Sequence, residues 1–518
     1  MPLPDLLCPG HPHFDGNMRP KLGSVPLLFL GLLNGTLYSL LTPLWEGFDE
    51  PYHYGVVQQL SRGHRLPQFG RDGLSPEVAR SLELVPAAPA VAANHGGRLL
   101  TFSEWFALTN AERENRLEQL RSLDRSLAVG PEEGRNYESQ QAPLAYLLFA
   151  PFDLALSGLA LPQRIAILRL CAVAICLGIL AWSTLRAARS VSLDDNRTAW
   201  ILFCLFQAQM LYAASAHIAN DGLAIALGSA LIAGVAEYRR TPTARVAALT
   251  GLATALLLLT KAYGLAFLPA LLWIFHRRML AFAVPVVLAA GPWYIRNLLL
   301  YGTLSGAFTF SGAQTVPPST MPWIDTFIRL ARFFLFTGNN HFLSFNQLTI
   351  SIGLLLFALG VAWSLWNRRD TISLDLVLLI ASFKLAWVYS LYQAFLYAGG
   401  QAVPLSPWYG QILLASALLL IARGAPRWLL AMLAAFFTYL MAATWWLKLI
   451  PLYAGYTGAR AMLPALARWY KDVDWSVLSQ TALAPAPLLL TLAALSTLLA
   501  VTGYVLALRT KSPGSPKE

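Results

Sequence analysis

The sequence predicts an all-α polytopic membrane protein of about twelve membrane-spanning helices (11–13). Three observations predict it. The 518 residues are 56% hydrophobic and only 13% charged, with a mean hydropathy of +0.52, too apolar for a soluble enzyme of this length. Apolar segments recur along most of the chain. The arginines gather in short loops between alternate segments. The net charge of +11 is therefore read as the basic bias of cytoplasmic loops, and nucleic-acid binding is set aside.

The apolar segments lie at about 24–44, 164–186, 198–216, 220–238, 244–260, 262–276, 279–295, 349–367, 374–396, 407–423, 427–449 and 481–508. The first follows a largely polar tail with no cleavage site after it, so it is read as a retained helix. A further apolar stretch, 142–161, carries Pro143, Pro151 and Asp153. If it lies in the membrane plane, the groups Arg186/Arg189/Arg197, Arg239/Arg240/Arg245, Arg277/Arg278, Arg368/Arg369 and Arg423/Arg427 all fall on the cytoplasmic side. If it crosses, they all move outside, against the charge bias. The in-plane reading puts both termini in the cytoplasm.

The resulting organisation has five parts. They are a cytoplasmic tail (1–23), a transmembrane module (24–300) with an extracytoplasmic loop at 45–163, which the resemblance described below makes the catalytic one, an outer loop (301–348), C-terminal helices (349–508) with an outer loop at 450–480, and a second tail (509–518). Within the first loop, 101–127 reads as amphipathic helix. Thr109 and Glu112 form a capping-box pattern, and Leu117, Leu120, Leu123 and Leu127 share a face. The cysteines (Cys8, Cys171, Cys176, Cys204) have no metal-site spacing and are read as small buried side chains.

The first membrane exit carries the chemistry: Pro43-Leu-Trp-Glu46-Gly-Phe-Asp49-Glu50-Pro51-Tyr52-His53-Tyr54. Asp49 is the candidate general base and Glu50 its rival. The pair could hold one proton between them. With His53, it could instead share a divalent cation such as Mg or Mn. Pro51 suits the first turn of a helix over 51–61, which makes helix capping the competing explanation. The same topology brings other polar residues to outer helix ends: Asn220 and Asp221, Lys261 and Tyr263, Trp293, Arg296 and Asn297, and Arg460 in the last outer loop. Lys261, Arg296 and Arg460 are candidate cations for a lipid-linked phosphate. Lys261 and Asp221 could also form a structural ion pair.

These residues resemble the GT-C class of polytopic glycosyltransferases, which includes the protein O-mannosyltransferases and aminoarabinose transferases. Trp45–His53 followed by Gly63-His-Arg-Leu-Pro67 resembles the first outer loop of that class. Tyr137-Glu-Ser-Gln-Gln-Ala-Pro-Leu-Ala-Tyr146 resembles the stretch opening an in-plane helix, with Gln140 or Gln141 where a histidine is common. Ala219-Asn220-Asp221, Thr260-Lys261-Ala-Tyr-Gly264 and Gly291-Pro-Trp-Tyr-Ile-Arg-Asn297 resemble later landmarks. The C-terminal third adds little. The resemblance implies a polyprenyl-phosphate-sugar donor used at the extracytoplasmic face of a bacterial plasma membrane. It implies inverting transfer to a hydroxyl, with Asp49 as base, Glu50 in support and Asp221 orienting the site. It adds Gln141 to the candidate substrate-binding residues. The sugar and the acceptor are not specified.

Three other readings compete. A transporter or flippase for a lipid-linked substrate predicts ionisable or broken positions near the bilayer midplane, of which Lys384 is the exception found. A glycan ligase predicts a late outer loop rich in Arg and His, but 450–480 has no His. A membrane scaffold leaves the convergence of polar residues unexplained.

Overall fold

The computed structural model describes residues 24–63, 65–88, 91–92, 98–129, 134–305, 317–332, 343, 345–400, 407–456 and 463–509. The regular elements among them are all helices, and the chain is an integral, multi-pass membrane protein. The first tail, residues 510–518 of the second and Arg460 lie outside the described residues.

Among the described residues, seven helices are long and apolar enough to cross a membrane, from Leu161–Ser190 to Ala486–Leu508. An eighth crossing forms if Asp195–Phe206 and Gln209–Ser215, bent by 58°, make one broken span. Five shorter apolar helices remain: Val25–Leu41, Leu144–Ala155, Ala244–Leu258, Ala262–Ile274 and Trp408–Gly424. The expected twelve are therefore not reached on length alone. The break at 207–208 interrupts the run 198–216, which the sequence reads as continuous, and within 262–276 a 3-10 turn, Ala262–Phe267, precedes an α-helix, Leu268–Ile274, with Pro269 in its first turn. Leu144–Ala155 has 12 residues, about 18 Å of helix at 1.5 Å per residue, well short of a bilayer core.

Ion pairs bring the Arg-rich ends together. Arg186 pairs with Glu237 at 2.6 Å, Arg239 with Asp375 at 2.5 Å, and Arg423 with Asp370 at 2.6 Å. Asp194, Thr243 and Asp370 cap the helices that leave these loops. Helix Asp221–Arg240 spans 20 residues, with Asp221 at one end and Arg239 at the other. The acids of the first exit thus sit at the end opposite the arginines. Which end faces the cytoplasm is tested by labelling. Exposed Arg189 replaced by cysteine, in a chain without its native cysteines, should react with an impermeant maleimide from the cytoplasmic side only. Reaction from outside would reverse the topology.

The first loop folds against the membrane helices. The expected helix over 101–127 is two, Phe102–Ala107 and Asn110–Arg121. The Thr109–Glu112 capping box forms, and a second box, Thr101–Glu104, starts the shorter helix. Two boxes so close define two starts, so one continuous helix is excluded. The helix expected over 51–61 runs Glu50–Gly63. It packs on Leu144–Ala155. Buried Asp153 accepts from Tyr54 Oη at 2.8 Å and Ser61 Oγ at 2.6 Å. Arg164 lies 2.6 Å from Glu77 and 3.7 Å from Asp153. This buried network fixes the floor on which Asp49 stands. Of the described cysteines, Cys176 and Cys204 are buried and Cys171 partly exposed.

Candidate active site

Asp49 sits in the turn between the first helix and Glu50–Gly63, with φ +53°. Aspartate tolerates this left-handed conformation better than most residues. The turn sends two adjacent carboxylates to different partners. Asp49, half-buried, accepts a hydrogen bond from Tyr137 Oη at 2.6 Å. Glu50 is buried and accepts from Arg169 Nε at 2.7 Å, from Arg169 Nη2, and from the Ile218 amide at 3.0 Å. The remaining Arg169 donors reach the carbonyls of Ser39, Thr42 and Pro43. Arg169 and Glu50 therefore tie the end of the first helix to the turn before Asp221. A Cβ on Gly47 would come 2.5 Å from His217 Cβ, so glycine is what lets these two turns close.

His53 lies one helical turn beyond Asp49. Its Nδ1 is 2.7 Å from Tyr146 Oη and 3.5 Å from Glu138 Oε2. Asn220 Nδ2 is 3.4 Å from both Tyr146 Oη and Gln141 Oε1. Lys261 Nζ is 2.5 Å from Asp221 Oδ1. Its ammonium lies over the rings of Tyr409 at 4.9 Å and Tyr263 at 5.5 Å. The expected alternative of an ion pair between Asp221 and Lys261 is thus the arrangement found. It is buried and sits within the cluster rather than apart from it.

The structure brings Asp49, His53, Gln141, Asn220, Asp221, Lys261 and Tyr263 into one polar cluster. Trp293, Arg296 and Asn297 form a neighbouring group. Arg296 stacks on Trp293 at 4.8 Å and donates to the Pro67 carbonyl at 3.1 Å. Asn297 is buried, 3.4 Å from the Leu304 carbonyl. Trp293 packs in a small apolar cluster with Ala142, the residue after Gln141.

Besides Tyr146 and Tyr409, two residues absent from the sequence-based set bear directly on the site's carboxylate and histidine. Tyr137 holds Asp49. Glu138 faces His53 and is buried. Both lie in the Tyr137–Tyr146 run, where the resemblance points to Gln141 alone. Within the first outer loop nothing in the sequence singles this acid out from the others. What positions it is Asn136. Its Oδ1 accepts from the Glu138 amide at 3.0 Å and its Nδ2 donates to the Tyr52 carbonyl at 2.9 Å. A Cβ on Gly55 would meet Asn136 Nδ2 at 2.9 Å, so glycine admits this contact.

Burial raises the Asp49 carboxyl above the usual carboxylate range, against the Tyr137 hydrogen bond and the Lys261 charge, which lower it. Burial and the charge of Asp49 push Glu138 up to about 8. Burial and the Lys261 charge hold His53 well below its ordinary value, so its ring is neutral at neutral pH. Burial opposes the Lys261 charge, but Asp221 beside it keeps the ammonium above its ordinary value. Several buried polar atoms make no hydrogen bond: Tyr52 Oη, Glu138 Oε2, His217 Nε2, Asn220 Oδ1 and Tyr263 Oη. Such a density of unmet groups suits a site that takes a polar ligand.

The metal set expected from Asp49, Glu50 and His53 is not assembled. Among the described residues, no group of three His, Cys, Asp or Glu side chains could hold a metal ion. Glu50 is committed to Arg169 and faces other partners than Asp49 does.

An Asp221–Lys261 pair this buried has a measurable consequence. Lys261→Met strands Asp221 among acids and should cost about 3–5 kcal/mol of stability. Adding Asp221→Asn should recover part of the loss. Thermal unfolding in detergent reads both, and equal melting of the single and double variants would deny the coupling.

No protein-family model matches the chain, and no characterised protein matches it by sequence. Among solved structures, it is similar to the crystal structure of ArnT from Cupriavidus metallidurans bound to undecaprenyl phosphate. The identity is 15%, the match covers 94% of this chain and 77% of that chain, and the TM-score is 0.46.

Proposed function

We propose that the chain is an integral-membrane glycosyltransferase that moves a sugar from a polyprenyl-phosphate donor to a hydroxyl acceptor at the extracytoplasmic face, inverting the anomeric carbon, with Asp49 as general base. One observation carries this reading. Asp49 is a partly exposed carboxylate at the edge of a buried polar cluster, held by Tyr137 and by its backbone turn. A base must be both reachable and fixed. Its raised basicity suits removal of a proton from a hydroxyl as the new bond forms, with the phosphate leaving from the opposite face of the sugar.

The ordered motifs at successive outer helix ends support the same reading. Lys261 is the cation inside the cluster, and Arg296 lies in the neighbouring group with a buried Nη1 that makes no hydrogen bond. Both are suited to meeting the phosphate of the donor. Asp221 acts through Lys261, and His53 and Asn220 line the acceptor side with Tyr146 and Gln141.

The test is donor consumption by purified protein. With a radiolabelled polyprenyl-phosphate hexose, release of labelled sugar or its transfer to an added acceptor is expected. Absence of binding across several sugars would move the assignment to a transporter or a glycan ligase.

A further inference from the structure

Three carboxylates, Asp49, Glu138 and Asp221, share the cluster with one ammonium, Lys261, which Asp221 already pairs. His53 adds no charge at neutral pH. Three anions clustered around one cation, two of them buried, would repel each other strongly, so one acid must keep its proton. Geometry distinguishes among them. Asp221 has its ammonium at 2.5 Å. Asp49 has the phenol of Tyr137 at 2.6 Å and is partly exposed. Glu138 is buried and its Oε2 has no hydrogen-bond partner; the nearest ring nitrogen, His53 Nδ1, lies 3.5 Å away.

We infer that Glu138 is the proton-bearing acid of this site and a positioning residue that acts through charge: neutral, it leaves Asp49 as the ionised base and admits an anionic phosphodiester; ionised, it repels that ligand. The inference rests on the function proposed above for its ligand, but the location of the proton does not. The groups acting on Glu138 are Asp49, Asp221, Lys261 and Gln141, with His53, Tyr137, Tyr146 and Tyr409 around them. The proton leaves near pH 8. The sign follows: below that pH the acid is neutral, and above it the site gains one negative charge.

Two measurements test this. The first is the ratio of transfer rates at about pH 9 and about pH 7, at donor concentrations below saturation. Wild type should lose about tenfold across this interval, carried by KM rather than kcat. Glu138→Gln, neutral at every pH, should show a flat ratio. A ratio in Glu138→Gln equal to that of wild type would overturn the inference while leaving the glycosyltransferase reading in place. The second is infrared spectroscopy of the unliganded wild type at neutral pH, with and without carbon-13 glutamate. A protonated carboxyl stretch that shifts with the label and fades above pH 8 is expected. Absence of such a band, or a band unmoved by glutamate labelling, would overturn the inference whether or not transfer is found. This measurement needs neither a variant that folds nor an active donor.

Discussion

Asp49→Asn is expected to leave the protein folded and inserted while lowering transfer by at least about 100-fold, the lower end of what general-base removal costs. The amide fits the same space and its oxygen can still accept the Tyr137 hydrogen bond. What it loses is the ability to take a proton. The same substitution should not lower stability. The folded state holds the Asp49 proton more tightly than the unfolded chain does, because burial raises this carboxyl. Stability from such a group is present at low pH and falls as pH rises through the folded-state value. At neutral pH the ionised carboxylate therefore costs stability, and asparagine removes that cost. The variant should melt at or above the wild-type temperature with its transfer lost. Normal turnover would remove Asp49 from the role of base.

Arg169→Met is expected to do the reverse, damaging the fold first. All five of its N–H donors are used: two bonds go to Glu50 and three to backbone carbonyls of residues 39, 42 and 43. The guanidinium and Glu50 are both fully buried. Removing the arginine leaves a buried carboxylate without its cation, at a cost of about 3–5 kcal/mol. The three carbonyls lose their donor as well. Because this pair holds the turn that carries Asp49, transfer should fall together with the melting temperature. Arg169→Lys, with three donors in place of a planar fork, should be intermediate. Glu50→Gln together with Arg169→Met should melt above Arg169→Met alone, since no unpaired charge remains. An unchanged melting temperature for Arg169→Met would mean that this ion pair does not fasten the outer turns.

The contrast between these neighbours shows what could be read from residue order. Asp49 and Glu50 are adjacent acids, and the sequence treats them as rivals for one role or as partners for one cation. A left-handed residue at 49 separates them, and only the fold supplies Arg169, 119 residues away, to claim Glu50. Asn220, Asp221 and Lys261 were legible as polar residues with no reason to be at short outer turns. Their convergence followed from alternation of the spans. Glu138 was not legible. It is one acid in a polar loop until Asn136 and Gly55 press that loop against helix Glu50–Gly63.

The sequence by itself determined the helical, membrane-embedded class, the segregation of arginines to one end, and the gathering of acids and aromatic residues at the other. These are consequences of hydrophobicity and charge bias, which act segment by segment and need no knowledge of neighbours. It also determined the Thr109 helix start, because a capping box closes within four residues. The tertiary structure decided which apolar runs break, which carboxylate remains reachable and which is spent on an arginine, and where the cluster keeps its proton. Those outcomes depend on contacts between residues dozens to hundreds of positions apart, and on burial, which sets how strongly each charge acts on the next.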